Sequence, residues 1–335
     1  MRHLPIAFIA DKNFFLPTVV AITSLLENKN QDSQYKIYIV CVGFLQQQLE
    51  VIAEIEKKYN TEIEITEVDE QVLRDKYKGL VKHDCNATVS ALIKFDLPDI
   101  CAEEKYLLYL DGDIIVKEDL MFFDSLELDD NTYVAAVKDS GLLYSQRLVR
   151  QEIENYFNSG VMYLNLDAMR KNGISEQLVK AKMNATDNSL MDQHVLNEIF
   201  NAHKIMIDYK YNTLYVNLRR AHYFHGLSLK KVNDFCNTDY RSWDDILEEA
   251  SIVHYSSFDK PWKYSDVNGV ELWDAYYKKS IIYDENIKRK RLNTKKFEKV
   301  MSIKLLVPFG AIAWEIKTKG FKKAYREIAG KIFKK

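Results

Sequence analysis

An α/β fold around a mostly parallel sheet is what this 335-residue sequence predicts, and three observations predict it. Short apolar runs rich in β-branched and aromatic residues alternate with helix-period segments from the start of the chain. The order strand, helix, strand, helix, strand requires crossover connections, which are right-handed and make neighbouring strands parallel. The most buried-looking strand, Tyr106–Leu110 (YLLYL), runs directly into Asp111-Gly112-Asp113. Loops beyond the carboxyl ends of strands are where such sheets hold their ligands.

Taken in order, Pro5–Ala10 (PIAFIA) reads as a buried strand. Pro17–Glu27 reads as a helix, with proline near its first turn, where the missing N–H is not needed, and apolar residues at three-to-four spacing. Lys36–Val42 (KIYIVCV) is a second strand. Gln46–Tyr59 is an amphipathic helix, with Leu49, Ile52 and Ile55 opposite Glu56, Lys57 and Lys58. Glu62–Val68 (EIEITEV) alternates as a half-exposed strand does. Thr88–Phe95 is expected to be helical and to stop before Pro98. Further strands are expected at Tyr133–Val137, Val161–Leu166 and Ile252–Tyr255, and helices at Lys171–Lys182 and Met191–Phe200. No internal repeat occurs. The body is expected to end near Tyr277, giving a domain 1–277 and a basic, amphipathic helical extension 278–335.

Composition narrows the function classes. With 47% apolar residues, 11 Gly and 5 Pro, the chain is neither disordered nor collagen-like. Cys41, Cys85, Cys101 and Cys236 show no CxxC spacing, so a disulfide scaffold and a cysteine zinc site are both disfavoured, and reduced thiols are expected. The apolar run in MRHLPIAFIA is too short for a signal peptide before Asp11-Lys12, and nowhere do roughly 18 apolar residues follow one another. A cytoplasmic protein is the expectation. The net charge of −2 conceals an asymmetry: residues 288–335 hold 16 Lys and Arg against 3 Asp and Glu, leaving 31 against 46 in the first 287. Body and tail are expected to meet different partners.

Asp111 and Asp113 carry the sharpest chemical signal. Residues i and i+2 of an extended segment point the same way, so both carboxylates can converge on one hard cation. Gly112 lets a ligand approach the backbone. Acids at the end of a buried strand are costly unless something positive neutralises them, and a divalent ion carrying a diphosphate does so. The competing reading is an Asp-Gly turn that merely ends the strand. GxGxxG, GxxxxGK[ST] and GxSxG are all absent, which removes the common dinucleotide, P-loop and serine-hydrolase readings.

Five segments in order then make the chain resemble glycosyltransferase family 8, over roughly residues 5–265. They are Ala10-Asp11-Lys12-Asn13-Phe14, Asp111-Gly112-Asp113, Tyr156-Phe157-Asn158-Ser159-Gly160-Val161 with Asn165-Leu166, Asp192-Gln193 with Leu196-Asn197, and His254-Tyr-Ser-Ser257-Phe-Asp-Lys260-Pro261-Trp262. The resemblance implies a GT-A type nucleotide-sugar-binding domain and a retaining transfer of a hexose, glucose or galactose, from a UDP-sugar to a glycan acceptor such as lipopolysaccharide. It makes His254 the third metal ligand beside Asp111 and Asp113; read alone, His254 is as well explained as a satisfied core histidine. Two carboxylates and one imidazole suit Mn²⁺ better than Mg²⁺.

The resemblance also implies that Lys260 neutralises the departing diphosphate, with Gly112 and Ser257 alongside. Ala10, Asp11 and Asn13 would meet uracil and ribose, and Phe14 the base; Asp11 and Asn13 can equally cap the following helix. Lys94, where the family carries Arg, would pair with phosphate or sugar. Asp139, Asn158, Asp192 and Gln193 would hold the sugar and serve catalysis, although Asp192 and Gln193 also fit ordinary helix-start polarity. Retention needs either a side-chain nucleophile, for which the Gln193 amide is poor and Asp192 better on chemistry alone, or same-face attack by the acceptor within an oxocarbenium-like ion pair. The latter is favoured, with a diphosphate oxygen taking the acceptor proton. His194, Ser257 and Lys94 depart from the family's pattern.

In the tail, Phe321, Ala324, Tyr325, Ile328 and Ile332 recur at helical spacing among lysines and arginines. That pattern predicts an interfacial helix on an anionic membrane surface, placing the protein on the inner face of the cell membrane, with a solvated terminal helix as the competing reading and no nucleic-acid partner. The rival readings are a sugar nucleotidyltransferase and a weakly active membrane-bound nucleotide-sugar-binding module.

Overall fold

A computed structural model describes residues 3–77, 89–144, 153–185 and 192–292. Contacts divide the chain into the units Met1–Lys290 and Arg291–Lys335, and the sheet, core and site all belong to the first. Thr88, Cys85, Met191 and the expected interfacial helix of the tail lie outside the described residues.

Nine strands are described: β1 (Leu4–Asp11), β2 (Tyr35–Val42), β3 (Glu62–Val68), β4 (Tyr106–Leu110), β5 (Ile114–Val116), β6 (Val134–Lys138), β7 (Phe157–Asn165), β8 (Lys204–Met206) and β9 (Ile252–His254). Seven form one sheet in the order β3-β2-β1-β4-β7-β6-β8, and β5 pairs with β9 in a small second sheet. The pairs β1–β2, β2–β3, β1–β4 and β6–β8 are parallel, as the sequence predicts, while β7 runs antiparallel to both β4 and β6. The chain leaves β1 for β2 on one side, and β4 pairs on the other. The carboxyl ends of β1 and β4 therefore flank a topological switch point, the crevice where open α/β sheets bind ligands.

Both faces of this sheet are covered, and the period of two sorts its side chains between them. Leu4, Ile6 and Phe8 of β1 join Leu108 and Leu110 of β4 under the helix Phe15–Glu27. Ala7 and Ile9 join Leu107 and Tyr109 on the opposite face, against the helices Ile174–Asn184 and Gln193–Ile199. Each fully buried Leu or Phe contributes roughly 1.5–3 kcal/mol. β3 lies at the sheet edge, half-buried at Ile63, Thr66 and Val68 and exposed at its glutamates and at Ile65, so the alternation its sequence predicts holds only in part.

Three expectations need correction. The segment before Pro98 is a 3₁₀-helix, Val89–Asp96, and it does not end the helical path: Leu97–Ile100 continues as a turn of α-helix with Pro98 in its first turn, where no N–H is missed. The helix expected over Lys171–Lys182 is two, Leu166–Lys171 and Ile174–Asn184, because Gly173 adopts a left-handed φ of 59° between them. β7 begins at Phe157, four residues earlier than its apolar run suggests, since Asn158 to Gly160 are extended and buried despite their polarity. Cys41, Cys101 and Cys236 are free thiols; burial pushes Cys41 up to about 11 and the other two up to about 12. No described helix is long and apolar enough to cross a membrane.

Candidate metal and sugar-nucleotide site

Strand register assembles the site. Ile114 pairs with His254 across β5 and β9, and the Tyr255 N–H donates to the Asp113 carbonyl at 2.9 Å, so His254 lands beside the Asp111-Gly112-Asp113 turn. The Asp111 N–H donates to the Gly160 carbonyl at 2.8 Å, which brings β7 alongside the same turn. Nε2 of His254 lies 3.2 Å from Oδ1 of Asp113 and 3.7 Å from Oδ2 of Asp111. One ligand atom from each of the three falls within 4.8 Å of the others, among the described residues the one such group of three or more His, Cys, Asp and Glu.

Hydrogen bonds hold each member. The Tyr109 hydroxyl, two residues back on the same face of β4, donates to Oδ1 of Asp111 at 2.6 Å. Lys260 donates to Oδ2 of Asp113 and, at 2.6 Å, to the Tyr255 carbonyl. Burial alone would raise the Asp113 carboxyl; Lys260 and His254 outweigh it and hold the group well below the usual carboxylate range. The backbone must approach closely here: a Cβ on Gly160 would collide with the His254 ring and sit 2.8 Å from Oδ2 of Asp111. Gly112 is equally constrained, by the Thr18 hydroxyl and the Phe14 ring.

A second group of side chains continues from this one. Lys94 is buried and donates to Oδ2 of Asp192 at 2.7 Å and to the Ser159 carbonyl at 3.1 Å, with Oδ1 of Asp111 at 3.3 Å. Burial opposes its charge, but Asp111 and Asp192 prevail and its pKa is raised. Ser159 Oγ donates to the same Asp192 oxygen at 2.9 Å. Asp192 thus faces Lys94 and Ser159 instead of capping its helix with its side chain. Gln193 donates to Oδ2 of Asp139 at 2.9 Å, and its Oε1 accepts from Asn158 at 3.1 Å. Asn197 docks the helix Gln193–Ile199 onto β7, exchanging bonds of 2.7 and 2.9 Å with the Phe157 backbone.

Asp111, Gly112, Asp113, His254, Lys260, Lys94, Asp192, Gln193, Asn158 and Asp139 therefore form one connected cluster. The remaining predicted residues flank it. Asp11 closes its own turn, accepting from the N–H groups of Asn13 at 2.8 Å and Phe14 at 3.0 Å; Asn13 is exposed and Ala10 buried. Phe14 meets Trp262 edge to face at 5.5 Å. Ser257 gives its hydroxyl to Asp259, which also accepts from Arg220 at 2.9 Å. Sequence reasoning passed over Tyr109, although its i, i+2 relation to Asp111 marks it, and Asn212, which no pattern marks.

Residues 5–266 match the family model described as Glycosyl transferase family 8. The chain is 28% identical over 264 residues to a lipopolysaccharide 1,2-glucosyltransferase of Escherichia coli, covering 75% of this chain and 71% of that protein. It is 27% identical over 261 residues to general stress protein A of Bacillus subtilis, covering 76% and 85%. Its fold superposes on the galactosyltransferase LgtC, solved with donor and acceptor sugar analogues, with a TM-score of 0.67 at 20% identity over 84% of this chain and 98% of that one. The sheet described above is thus the GT-A arrangement. With most of its length matched by the family model, the chain belongs to glycosyltransferase family 8 and is a glycosyltransferase.

Proposed function

We propose that the protein is a metal-dependent, retaining hexosyltransferase that moves glucose or galactose from a UDP-sugar to a glycan acceptor, lipopolysaccharide or another cell-surface glycan. The convergence of Asp111, Asp113 and His254 at the switch point carries this reading. Two carboxylates and an imidazole fit Mn²⁺, with Mg²⁺ second, and Gly160 leaves open the space that a Cβ would close. A divalent ion held there would supply Lewis-acid neutralisation of the departing diphosphate.

The chain's own residues do the rest. Lys260, already at the metal ligands, offers its ammonium to the same diphosphate. Ala10, Asp11, Asn13 and Phe14 at the end of β1 take the nucleoside, with Gly112 and Ser257 bordering the diphosphate. Asp139, Asn158, Asp192 and Gln193 take the donor sugar, and Lys94 fixes Asp192. Gln193 is a neutral amide engaged at both ends, and one oxygen of Asp192 is held by Lys94 and Ser159. The amide is a poor nucleophile and the Lys94 ion pair lowers the nucleophilicity of Asp192, which supports same-face attack by the acceptor hydroxyl, its proton passing to a diphosphate oxygen.

In this reading the catalytic domain is 1–277 and the extension 278–335 reaches an anionic membrane surface through residues 288–335, which suits a glycolipid acceptor. Titration with UDP and Mn²⁺ should show metal-dependent nucleotide binding that Asp113→Asn abolishes. Unchanged binding by that variant removes the site assignment. A panel of UDP-glucose, UDP-galactose and their N-acetyl forms, scored for release of UDP, identifies the donor; release of pyrophosphate would instead indicate a nucleotidyltransferase.

A further inference from the structure

Asn212 ends the 3₁₀ turn Tyr209–Asn212 and is 1% exposed. No surface role accounts for a buried amide there, and both ends of it are used. Its Oδ1 faces Nδ1 of His254 at 2.9 Å, and its Nδ2 donates to Oδ1 of Asn158 at 3.0 Å. The turn itself is fixed: Thr213 donates through its N–H to the Ile252 carbonyl, and the His254 N–H donates back to the Thr213 carbonyl, both at 2.9 Å. Asn212 and His254 are thus clamped side by side.

The direction of every bond in this chain is determined by groups that cannot reverse. Oδ2 of Asp139, a carboxylate oxygen, accepts, so the Gln193 end facing it is Nε2 and Oε1 points the other way. The Ser159 backbone N–H, a donor only, meets that Oε1 at 3.3 Å. Oε1 therefore accepts from Asn158 Nδ2, which leaves Asn158 Oδ1 facing Asn212; the Gly160 N–H, again a donor only, meets that Oδ1 at 3.0 Å. Asn158 Oδ1 can only accept, so Asn212 presents Nδ2 to it and Oδ1 to His254. The ring nitrogen facing an amide oxygen must carry the proton. With Nδ1 protonated, the lone pair of the neutral ring sits on Nε2, the atom facing Asp111 and Asp113.

We propose that Asn212 is a positioning residue that locks His254 in its Nδ1–H tautomer, and that the amide chain Asp139–Gln193–Asn158–Asn212 couples the sugar-binding residues to the metal ligand. This rests on the reading of Asp111, Asp113 and His254 as a metal site. Metal-bound histidines depend on such an outer hydrogen-bond partner to fix ring orientation and tautomer. Here that partner is reached from the donor-sugar side, so a disturbance at Gln193 is felt at the imidazole.

Two variants separate this role from simple packing. Asn212→Leu removes the acceptor for Nδ1–H. Asn212→Asp keeps an acceptor for Nδ1–H but has no proton to give Asn158, so it breaks the chain on the sugar side alone. Long-range ¹H–¹⁵N spectra of the metal-free protein, with His254 assigned through a His254→Gln variant, should show a proton on Nδ1 in the wild type and in Asn212→Asp. Mn²⁺ binding in the presence of UDP, followed by electron paramagnetic resonance, should weaken by about 10–100-fold in Asn212→Leu and stay within a few-fold in Asn212→Asp. UDP-hexose hydrolysis should fall in both. A wild-type His254 with a bare Nδ1 overturns the proposal, as does an Asn212→Asp variant that loses Mn²⁺. The spectra need no metal, so a wild type that binds no Mn²⁺ removes the metal-site reading while leaving the tautomer decided on its own evidence. Because the wild-type and aspartate measurements suffice, a leucine variant that fails to fold does not prevent the decision.

Discussion

Lys94 and Asp192 form an ion pair at 2.7 Å with side-chain exposures of 4% and 9%. They come from segments 98 residues apart and join the 3₁₀-helix before β4 to the start of the helix Gln193–Ile199. A buried pair of this kind contributes little over an apolar pair of the same shape, but losing one partner strands the other charge, at a cost of about 3–5 kcal/mol. Lys94→Met should therefore destabilise the protein by that amount in denaturant unfolding, whereas Lys94→Arg retains the charge and should lose only about 1–3 kcal/mol to crowding. A methionine variant as stable as wild type would mean that the charge of Asp192 does not depend on Lys94 for compensation.

Gly160→Ala tests the metal site without replacing a proposed ligand. The added methyl would strike the His254 ring and press on Oδ2 of Asp111, and both are held from behind, by Asn212 and by the backbone bond between Asp111 and Gly160. Mn²⁺ affinity should drop by about tenfold or more, the order expected when a ligand is misplaced. Measured by electron paramagnetic resonance, unaltered affinity would put the ion elsewhere.

How much of this was legible in the sequence depends on which interaction sets each feature. The strands and helices around the switch point follow from local periodicity, and Asp111, Asp113 and His254 stand in motifs, so their convergence was readable. β5 and β8 were not, because three residues hold little of a period; β9, equally short, was readable only within the longer run Ile252–Tyr255. Gly173 split a helix that apolar spacing alone joins. Asn158 to Gly160 extend β7 because their polar groups are satisfied by Gln193, Asn212 and Asp192, partners 33 to 54 residues distant that no local pattern contains. Asn212 was invisible for the same reason: its role exists only once β9 is paired with β5.

Asp119 supplies a pH-dependent part of the stability away from the site. Its Oδ2 accepts from the Asn30 N–H at 2.9 Å and the Tyr35 hydroxyl at 3.0 Å, and its Oδ1 from the Met121 N–H at 2.9 Å, tying the β1–β2 connection to the segment after β5. Burial would raise its pKa, but hydrogen bonds led by that from Ser33 lower it below the ordinary 3.8. A carboxyl lowered in the folded state stabilises above its unfolded pKa and loses that contribution as pH falls through the folded one. Asp119→Ala should cost about 1–3 kcal/mol at neutral pH. In urea unfolding followed from pH 7 downward, the gap to wild type should narrow below about pH 4. A gap independent of pH would show that the charge contributes nothing.

The tail offers the clearest test of where the enzyme works. Residues 293–335 hold twelve Lys and Arg against three Glu and no Asp. Truncation after Leu292 removes them while sparing Arg289, whose guanidinium meets both oxygens of Asp274 at 2.7 and 3.0 Å. Each basic residue near an anionic leaflet is worth about 1 kcal/mol, and apolar residues at helical spacing add burial in the interface. The full chain should therefore float with phosphatidylserine-containing vesicles at low salt, release as ionic strength shortens the screening length, and ignore neutral phosphatidylcholine vesicles. The truncated chain should remain in the bottom fraction with both, yet still release UDP from a soluble donor, since every residue of the proposed site is retained. Equal flotation on neutral and anionic vesicles would remove the electrostatic account, and loss of donor hydrolysis on truncation would move the tail from membrane contact into the catalytic unit.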